Sequence, residues 1–256
     1  MRATVCELSD DPAAFEHDWS ALVAHVRTER SELVLLPEMP FGRWFAVTPA
    51  FDGPTWRASV DAHDRWLPRL RELGPAAVLA TRPVDEGGRR FNEAFVWSDG
   101  GYRGAHRKAF LPREEGFWEA NWYDAGDGTF DLVDAAGARL GFQICTELWS
   151  MTHAQRYGQL GAQIIAVPRA TSKNSVDKWV AGGRVAGIVA GAFTLSSNRT
   201  SPADGPDFGG GGWITAPDGQ TLGVTSRDQP FFTAEIDLAA ADAAKGTYPR
   251  YALPPP

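Results

Sequence analysis

Short apolar runs separated by amphipathic stretches set the rhythm of this 256-residue chain. In SELVLLPE, residues 31–38, the unbroken run Leu33 to Leu36 predicts a strand buried on both faces, as in a sheet covered by helices. Further strands are expected over 3–8, 76–83, 90–99, 102–110, 138–145, 162–170, 193–200, 211–217 and 231–238. Trp19, Leu22, Val23 and Val26 recur at the spacing of one helical face, and Trp56, Val60, Leu67 and Leu70 nearly do so within 55–73. Helices are also expected over 149–161 and 176–192, the second carrying Gly182, Gly183, Gly187 and Gly191. Each glycine costs a helix about 1 kcal/mol relative to alanine, so close packing is the expected compensation.

Strand, helix, strand in the first third, and again after Cys145, predicts an α/β architecture with helices outside. Turn signals SDGG at 98–101 and APDGQ at 216–220 each join two strand candidates as hairpins, which makes the sheet mixed. The Pro/Gly-rich stretch 201–212 reads as a loop within the domain. With no linker or low-complexity tract, residues 1–256 are expected to form a single domain, 246–256 being a short C-terminal tail.

Composition narrows the function classes. Formal charge is −7 with both signs interspersed, which argues against nucleic acid or an anionic membrane as partner. The N-terminal MRATVCELSDDP is acidic where a secretory leader would be apolar, and the longest apolar runs are too short to span a bilayer. Two distant cysteines, Cys6 and Cys145, make neither a disulfide framework nor a zinc cluster, so a reducing cytoplasm is expected, with no metal. The GGGG at 209–212 lacks the strand and helix of a dinucleotide site, and no organic cofactor is expected.

Three residues stand out as chemistry. Cys145 closes an apolar run at the carboxyl end of its expected strand, where α/β proteins place ligand-contacting groups. A thiol needs a base or cation to act as a nucleophile, and a lone cysteine is more commonly core. Glu38 follows a fully buried strand, and desolvation there would raise its pKa and suit a general base. Lys108 is the only one of four lysines, against twenty-one arginines, inside a strand candidate. Period-two alternation puts it on one face with Tyr102, Gly104, His106 and Phe110. His106 is therefore a rival base for Cys145, in a Cys-His hydrolase, whereas His153 lies two helical turns beyond the cysteine.

LPEMPF at 36–41, HRKAFLP at 106–112 and GFQICTELW at 141–149 resemble, in order and context, the nitrilase or carbon-nitrogen hydrolase superfamily. GAQIIAVPRA at 161–170, Trp179 and Arg184, SSNR at 196–199, GGWITAPDGQTLG and TAEIDL extend the resemblance over nearly the whole chain. It implies a four-layer α-β-β-α sandwich with mixed sheets and a Glu38-Lys108-Cys145 triad. An amide would be hydrolysed through a Cys145 thioester, with Lys108 and the backbone N–H of Thr146 holding the oxyanion.

The family's second glutamate falls on Glu119 by spacing from DAGDG, or on Glu115 counting forward from Lys108, with Glu114 also nearby. Its implied role is to orient Lys108 and the substrate amine. Trp44, Phe117, Trp118, Trp122, Trp149, Arg169 and Thr171 are pocket candidates, Arg169 as a cation for a substrate carboxylate. Thr146 and Glu147 depart from the aromatic residue and aspartate common after the cysteine, which is expected to alter the pocket floor; Thr146 favours amide over nitrile substrates. Ala186 and Val189 stand where the family often has an arginine and a glutamate. A nitrile or N-carbamoyl hydrolase, or a non-catalytic binding member of the fold, is the alternative, and the resemblance implies a homodimer or larger homo-oligomer.

Overall fold

The computed structural model describes residues 1–201 and 207–253; positions 202–206 of the expected loop and 254–256 of the expected tail lie outside the described residues. In chain order the elements are β1 Arg2–Ser9, α1 Pro12–Glu29, β2 Leu33–Leu35, α2 Gly53–Trp66, β3 Ala77–Glu86, β4 Arg89–Ser98, β5 Gly101–Arg107 and α3 Glu119–Trp122. There follow β6 Val133–Ala135, β7 Ala138–Phe142, α4 Met151–Gln159, β8 Ile164–Arg169, α5 Val176–Ala190, β9 Phe193–Thr200, β10 Trp213–Thr215, β11 Thr221–Val224, β12 Phe231–Glu235 and α6 Leu238–Ala244.

The strands run in the order β5-β4-β3-β2-β1-β9-β8-β7-β6, with β12 added beside β1, β10 beside β9 and β11 beside β10. Two half-sheets meet where the last residues of β1, Glu7 to Ser9, pair in parallel with Asn198 to Thr200 of β9. Their inner faces form one core: Val5, Leu35, Leu79 and Val96 from one half join Leu140, Ile164, Val167 and Leu195 from the other. Outside, α1 packs Phe15, Trp19, Leu22 and Val26 against Val34, Val78 and Phe95, while α4 and α5 cover the second half through Ala154, Tyr157, Ala186 and Ala190. This is the expected four-layer sandwich, and its mixed pairing follows from the β3–β4 and β4–β5 hairpins.

Parallel pairing of β1, β2 and β3, and of β7, β8 and β9, sends their carboxyl ends to the junction edge. Two antiparallel steps return β5 to the direction of β3. The segments after β2, β5 and β7 therefore converge, which is how Glu38, Lys108 and Cys145, far apart in sequence, come together.

Glycines in α5 behave as their cost requires. A Cβ on Gly183 would lie 2.4 Å from the Trp213 indole, and one on Gly182 would lie 2.8 Å from Trp149. The helix expected over 55–73 is shorter: Pro68 supplies no N–H, and α2 gives way to a 3-10 turn at Leu67–Leu73. Among the described residues no helix is long and apolar enough to cross a membrane.

Candidate active site

Cys145 is not the last residue of a strand. β7 ends at Phe142, and Cys145 opens a 3-10 turn, Cys145–Trp149, with φ of +48°. A non-glycine residue there costs roughly 1–2 kcal/mol, and such strain persists only where the surroundings over-determine it. Here they do. Gln143 Nε2 donates to the Glu147 and Ser150 carbonyls at 3.0 and 3.1 Å, and Ile144 N–H donates to Glu147 Oε2 at 2.8 Å. The turn lifts the thiol, 4% exposed, to the wall of a cavity of about 210 Å³.

Lys108 lies one residue beyond β5 but stays paired, its N–H donating to Asn92 O at 2.9 Å and its carbonyl accepting from Gly126 N–H at 2.9 Å. The expected face is broken. Between Ala94 and Phe95 the β4–β5 register shifts, pairing His106 with Ala94 and Gly104 with Phe95, so Ala105 is a bulge and His106 turns away from the face of Tyr102. His106 does not line the cavity: Nδ1 faces Thr129 O at 3.0 Å and Nε2 faces Glu147 Oε2 at 2.8 Å. A Cys-His pairing with Cys145 is therefore not formed, and His153 is stacked on Phe130 at 3.8 Å.

The Lys108 ammonium is fully buried between two carboxylates, 2.8 Å from Glu38 Oε1 and 2.6 Å from Glu119 Oε2. Of the three candidate second glutamates, Glu119 makes this contact, while Glu115 is exposed and Glu114 sits at the cavity rim. Burial alone would depress the Lys108 pKa, but Glu119 and Glu38 outweigh it and raise it. Burial likewise raises Glu119 to about 7, with Lys108 opposing and Glu38 adding to the shift. Tyr123 OH donates to Glu119 Oε2, and Asn92 Nδ2 donates to Glu38 Oε1 at 2.7 Å. Glu38 Oε2 is buried with no hydrogen-bond partner among the described residues.

Burial is also the largest cause of the raised Cys145 pKa; Glu38 adds to it, whereas Lys108 and the backbone N–H of Ala170 oppose it. The resting group is a thiol, and a thiol becomes a nucleophile only when a base removes its proton. An orphan carboxylate oxygen is an acceptor for that proton. The Thr146 N–H, at the second position of the turn, has no protein acceptor among the described residues.

Glu38 itself is held from several sides. Its N–H donates to Arg169 O at 3.1 Å, tying the two half-sheets together, and Arg199 Nε donates to its carbonyl at 2.9 Å. The same guanidinium binds Met39 O, Gly42 O and the buried Asp10 carboxylate, clamping a loop in which Met39 has φ of +45°. His63 finishes the support, its Nδ1–H donating to Ser59 O at 2.8 Å and its Nε2 accepting from Phe41 N–H at 3.3 Å.

Burial lowers the His63 pKa to about 3. The unfolded chain therefore binds a proton that the folded protein refuses as pH falls from 6.5 toward 3, and stability present above 6.5 is lost in that window. Urea unfolding at pH 7 and pH 5 should show His63 contributing about 2 kcal/mol of acid destabilisation, from roughly 1.4 kcal/mol per pH unit. A His63→Gln variant with an unchanged pH 7-to-5 difference would contradict this assignment.

Of the pocket candidates, Phe117, Trp149 and Thr171 line the cavity with Pro112, Thr146 and Trp179. Trp149 is 47% exposed and leans on Trp179 at 4.8 Å. The other four do not line it. Trp44 and Trp122 donate their indole N–H groups to Gly116 O and Thr48 O in the aromatic cluster behind Phe117, and Trp118 packs beside them. Arg169 is fully buried and does not line the cavity, its guanidinium donating to Ser196 Oγ, Thr171 Oγ1 and Gly211 O, each at 2.7 Å. Nor does Glu147 form the pocket floor: it is fully buried and bonded to backbone and His106.

Sequence reasoning missed Asn92, Tyr123 and Arg199 as supports.

A sandwich whose parallel strands deliver a buried Glu-Lys-Glu cluster beside a cysteine at a cavity wall defines a hydrolase-like centre. The carbon-nitrogen hydrolase family matches residues 2–245, and the chain belongs to that family, within the nitrilase superfamily. It is 24% identical to the omega-amidase NIT2 of Bos taurus over 85% of this chain and 80% of that protein. It is 25% identical to an N-carbamoylputrescine amidase of Arabidopsis thaliana over 57% of this chain and 54% of that protein. The chain spans 16% to 54% of the length of the first three curated relatives it matches. Its fold is shared by a carbon-nitrogen hydrolase from Helicobacter pylori G27, with a TM-score of 0.87, 20% identity and coverage of 98% of this chain and 94% of that one.

Proposed function

We propose that this protein is an amidase that hydrolyses small linear amides through a thioester on Cys145. The observation that carries the reading is the unpartnered Glu38 Oε2 beside a buried, neutral thiol, with Lys108 fixed between Glu38 and Glu119. Glu38 takes the Cys145 proton as sulfur bonds to the amide carbon. The carbonyl oxygen gains negative charge, which the Lys108 ammonium and Thr146 N–H stabilise. Collapse breaks the carbon–nitrogen bond, and the proton on Glu38 passes to the leaving nitrogen. Water then gives a proton to Glu38 and attacks the thioester; the carbon–sulfur bond breaks, the proton on Glu38 returns to sulfur, and the carboxylic acid leaves, giving its remaining proton to solvent as a carboxylate forms.

Glu119 holds Lys108 and reaches the cavity wall, where it would accept from a substrate N–H. A volume of about 210 Å³ walled by Phe117, Trp149 and Trp179 suits a short acyl chain. An N-carbamoyl substrate is the second reading, supported by the likeness to an N-carbamoylputrescine amidase. A homo-oligomer, as the family resemblance implies, is readable by light scattering, and two free thiols suit a reducing cytoplasm.

Ammonia release over short amides, N-carbamoyl amines and nitriles, with Cys145→Ala as control, tests the reading. Short amides are expected to be turned over fastest and the control to be inactive. Turnover by Cys145→Ala equal to that of the parent would overturn the proposal.

A further inference from the structure

Glu147 is the least expected carboxylate in the molecule. It is fully buried, follows the candidate nucleophile by two residues, does not line the cavity and contacts neither Lys108 Nζ nor substrate space. Its two oxygens are nonetheless fully used. Oε1 accepts from Ala109 N–H at 2.7 Å and Oε2 from Ile144 N–H at 2.8 Å, while His106 Nε2 bonds both, at 3.0 and 2.8 Å. Ala109 follows Lys108 directly, and Ile144 precedes Cys145 directly.

We propose that Glu147, oriented by His106, is a positioning residue that sets the separation of Lys108 from Cys145. One carboxylate spans the backbone on either side of the gap where the oxyanion would form. The two segments come from different half-sheets, β5 and β7, so strand pairing does not fix their distance. A carboxylate accepts up to four such bonds with rigid geometry, and an ionised acceptor makes them roughly twice as strong as neutral ones.

His106 is in turn held by Thr129 O and by the Phe130 ring at 4.7 Å. The bulge at Ala105 gains a purpose: without the extra residue His106 would face the side of Tyr102, and Glu147 would lose its partner. The inference rests on Cys145 as nucleophile and Lys108 as oxyanion donor.

Glu147→Gln keeps the size but turns an N–H₂ toward one of two backbone N–H donors. Its kcat on a short amide is expected to fall about 10²-fold, with KM changed little, because misplacement of about 1 Å costs that much in rate. His106→Phe should fall about tenfold, whereas His106→Gln, which can still donate to Glu147, should stay within about threefold of the parent.

Rates are to be normalised to the fraction of protein whose Cys145 is titrated by iodoacetamide, which separates lost folding from lost alignment. If Glu147→Gln does not fold, the His106→Phe and His106→Gln pair decides alone. Full kcat per titrated site in Glu147→Gln, or equal loss in both His106 variants, would overturn the proposal. The second outcome would point to His106 as a proton carrier. An active Cys145→Ala would instead sink the underlying reading, with the Glu147 geometry left without that role.

Discussion

Glu38→Gln is expected to lower kcat/KM for a short amide by about 10²–10⁴-fold, the range attributed to a positioned general base. The substitution preserves the architecture. An amide oxygen can accept from Lys108 Nζ and Asn92 Nδ2 as Oε1 does now, and the amide nitrogen replaces an oxygen that has no partner. Melting temperature should therefore stay within a few degrees while turnover collapses. The raised pKa of Cys145, caused first by burial and then by Glu38, leaves almost no thiolate at neutral pH to act without a base. Steady-state kinetics with a melting curve on the same preparation is the check. A folded Glu38→Gln enzyme within tenfold of the parent would require a different proton acceptor.

Lys108→Met is expected to damage both activity and stability. Loss of an oxyanion donor costs about 10²–10³ in kcat. Removing the cation leaves two buried carboxylates facing each other, and breaking a buried pair typically costs about 3–5 kcal/mol. The pH dependence has a definite sign. Glu119 has a folded pKa of about 7, above its ordinary 4.5, so its stabilising contribution is complete below 4.5 and is lost as pH rises through 7.

Lys108 is what pulls that value down, so the variant should lose more than the parent in moving from pH 5 to pH 8. Urea unfolding at the two pH values reads this directly. A second change, Glu119→Gln, should recover part of the stability of Lys108→Met without recovering activity. A destabilisation equal at pH 5 and pH 8 would contradict the electrostatic origin of the effect.

The layered architecture was legible because buried strands such as LVLL and IIAV are continuous apolar runs and α1 repeats at helical spacing. The carboxyl-end placement of Glu38 and Cys145 was legible in the same way, since both follow such runs. What escaped depends on single-residue shifts. One bulge at Ala105 reverses the face of His106, and one positive φ at Cys145 replaces a strand end with a turn. Neither leaves a trace in apolar periodicity.

Arg169 is expected to hold a substrate carboxylate because the family chain runs beside the pocket after AVP; it is instead buried and donates to Ser196, Thr171 and Gly211, of which the β8–β9 register brings Ser196 near. Arg199, which clamps the Glu38 loop from 161 residues away, belongs to the same class of long-range contact. Glu147 is expected to alter the pocket floor because it stands where the family commonly has an aspartate after the cysteine. The tight turn sends it inward instead.

The most direct test of the account is intact-mass and peptide analysis of the protein quenched during turnover of a short amide. The expected result is a mass increase equal to the acyl group less one hydrogen, carried by the peptide containing Cys145, and absent in Cys145→Ala. Turnover with no adduct at any time, and undiminished after Cys145 has been alkylated, would contradict it.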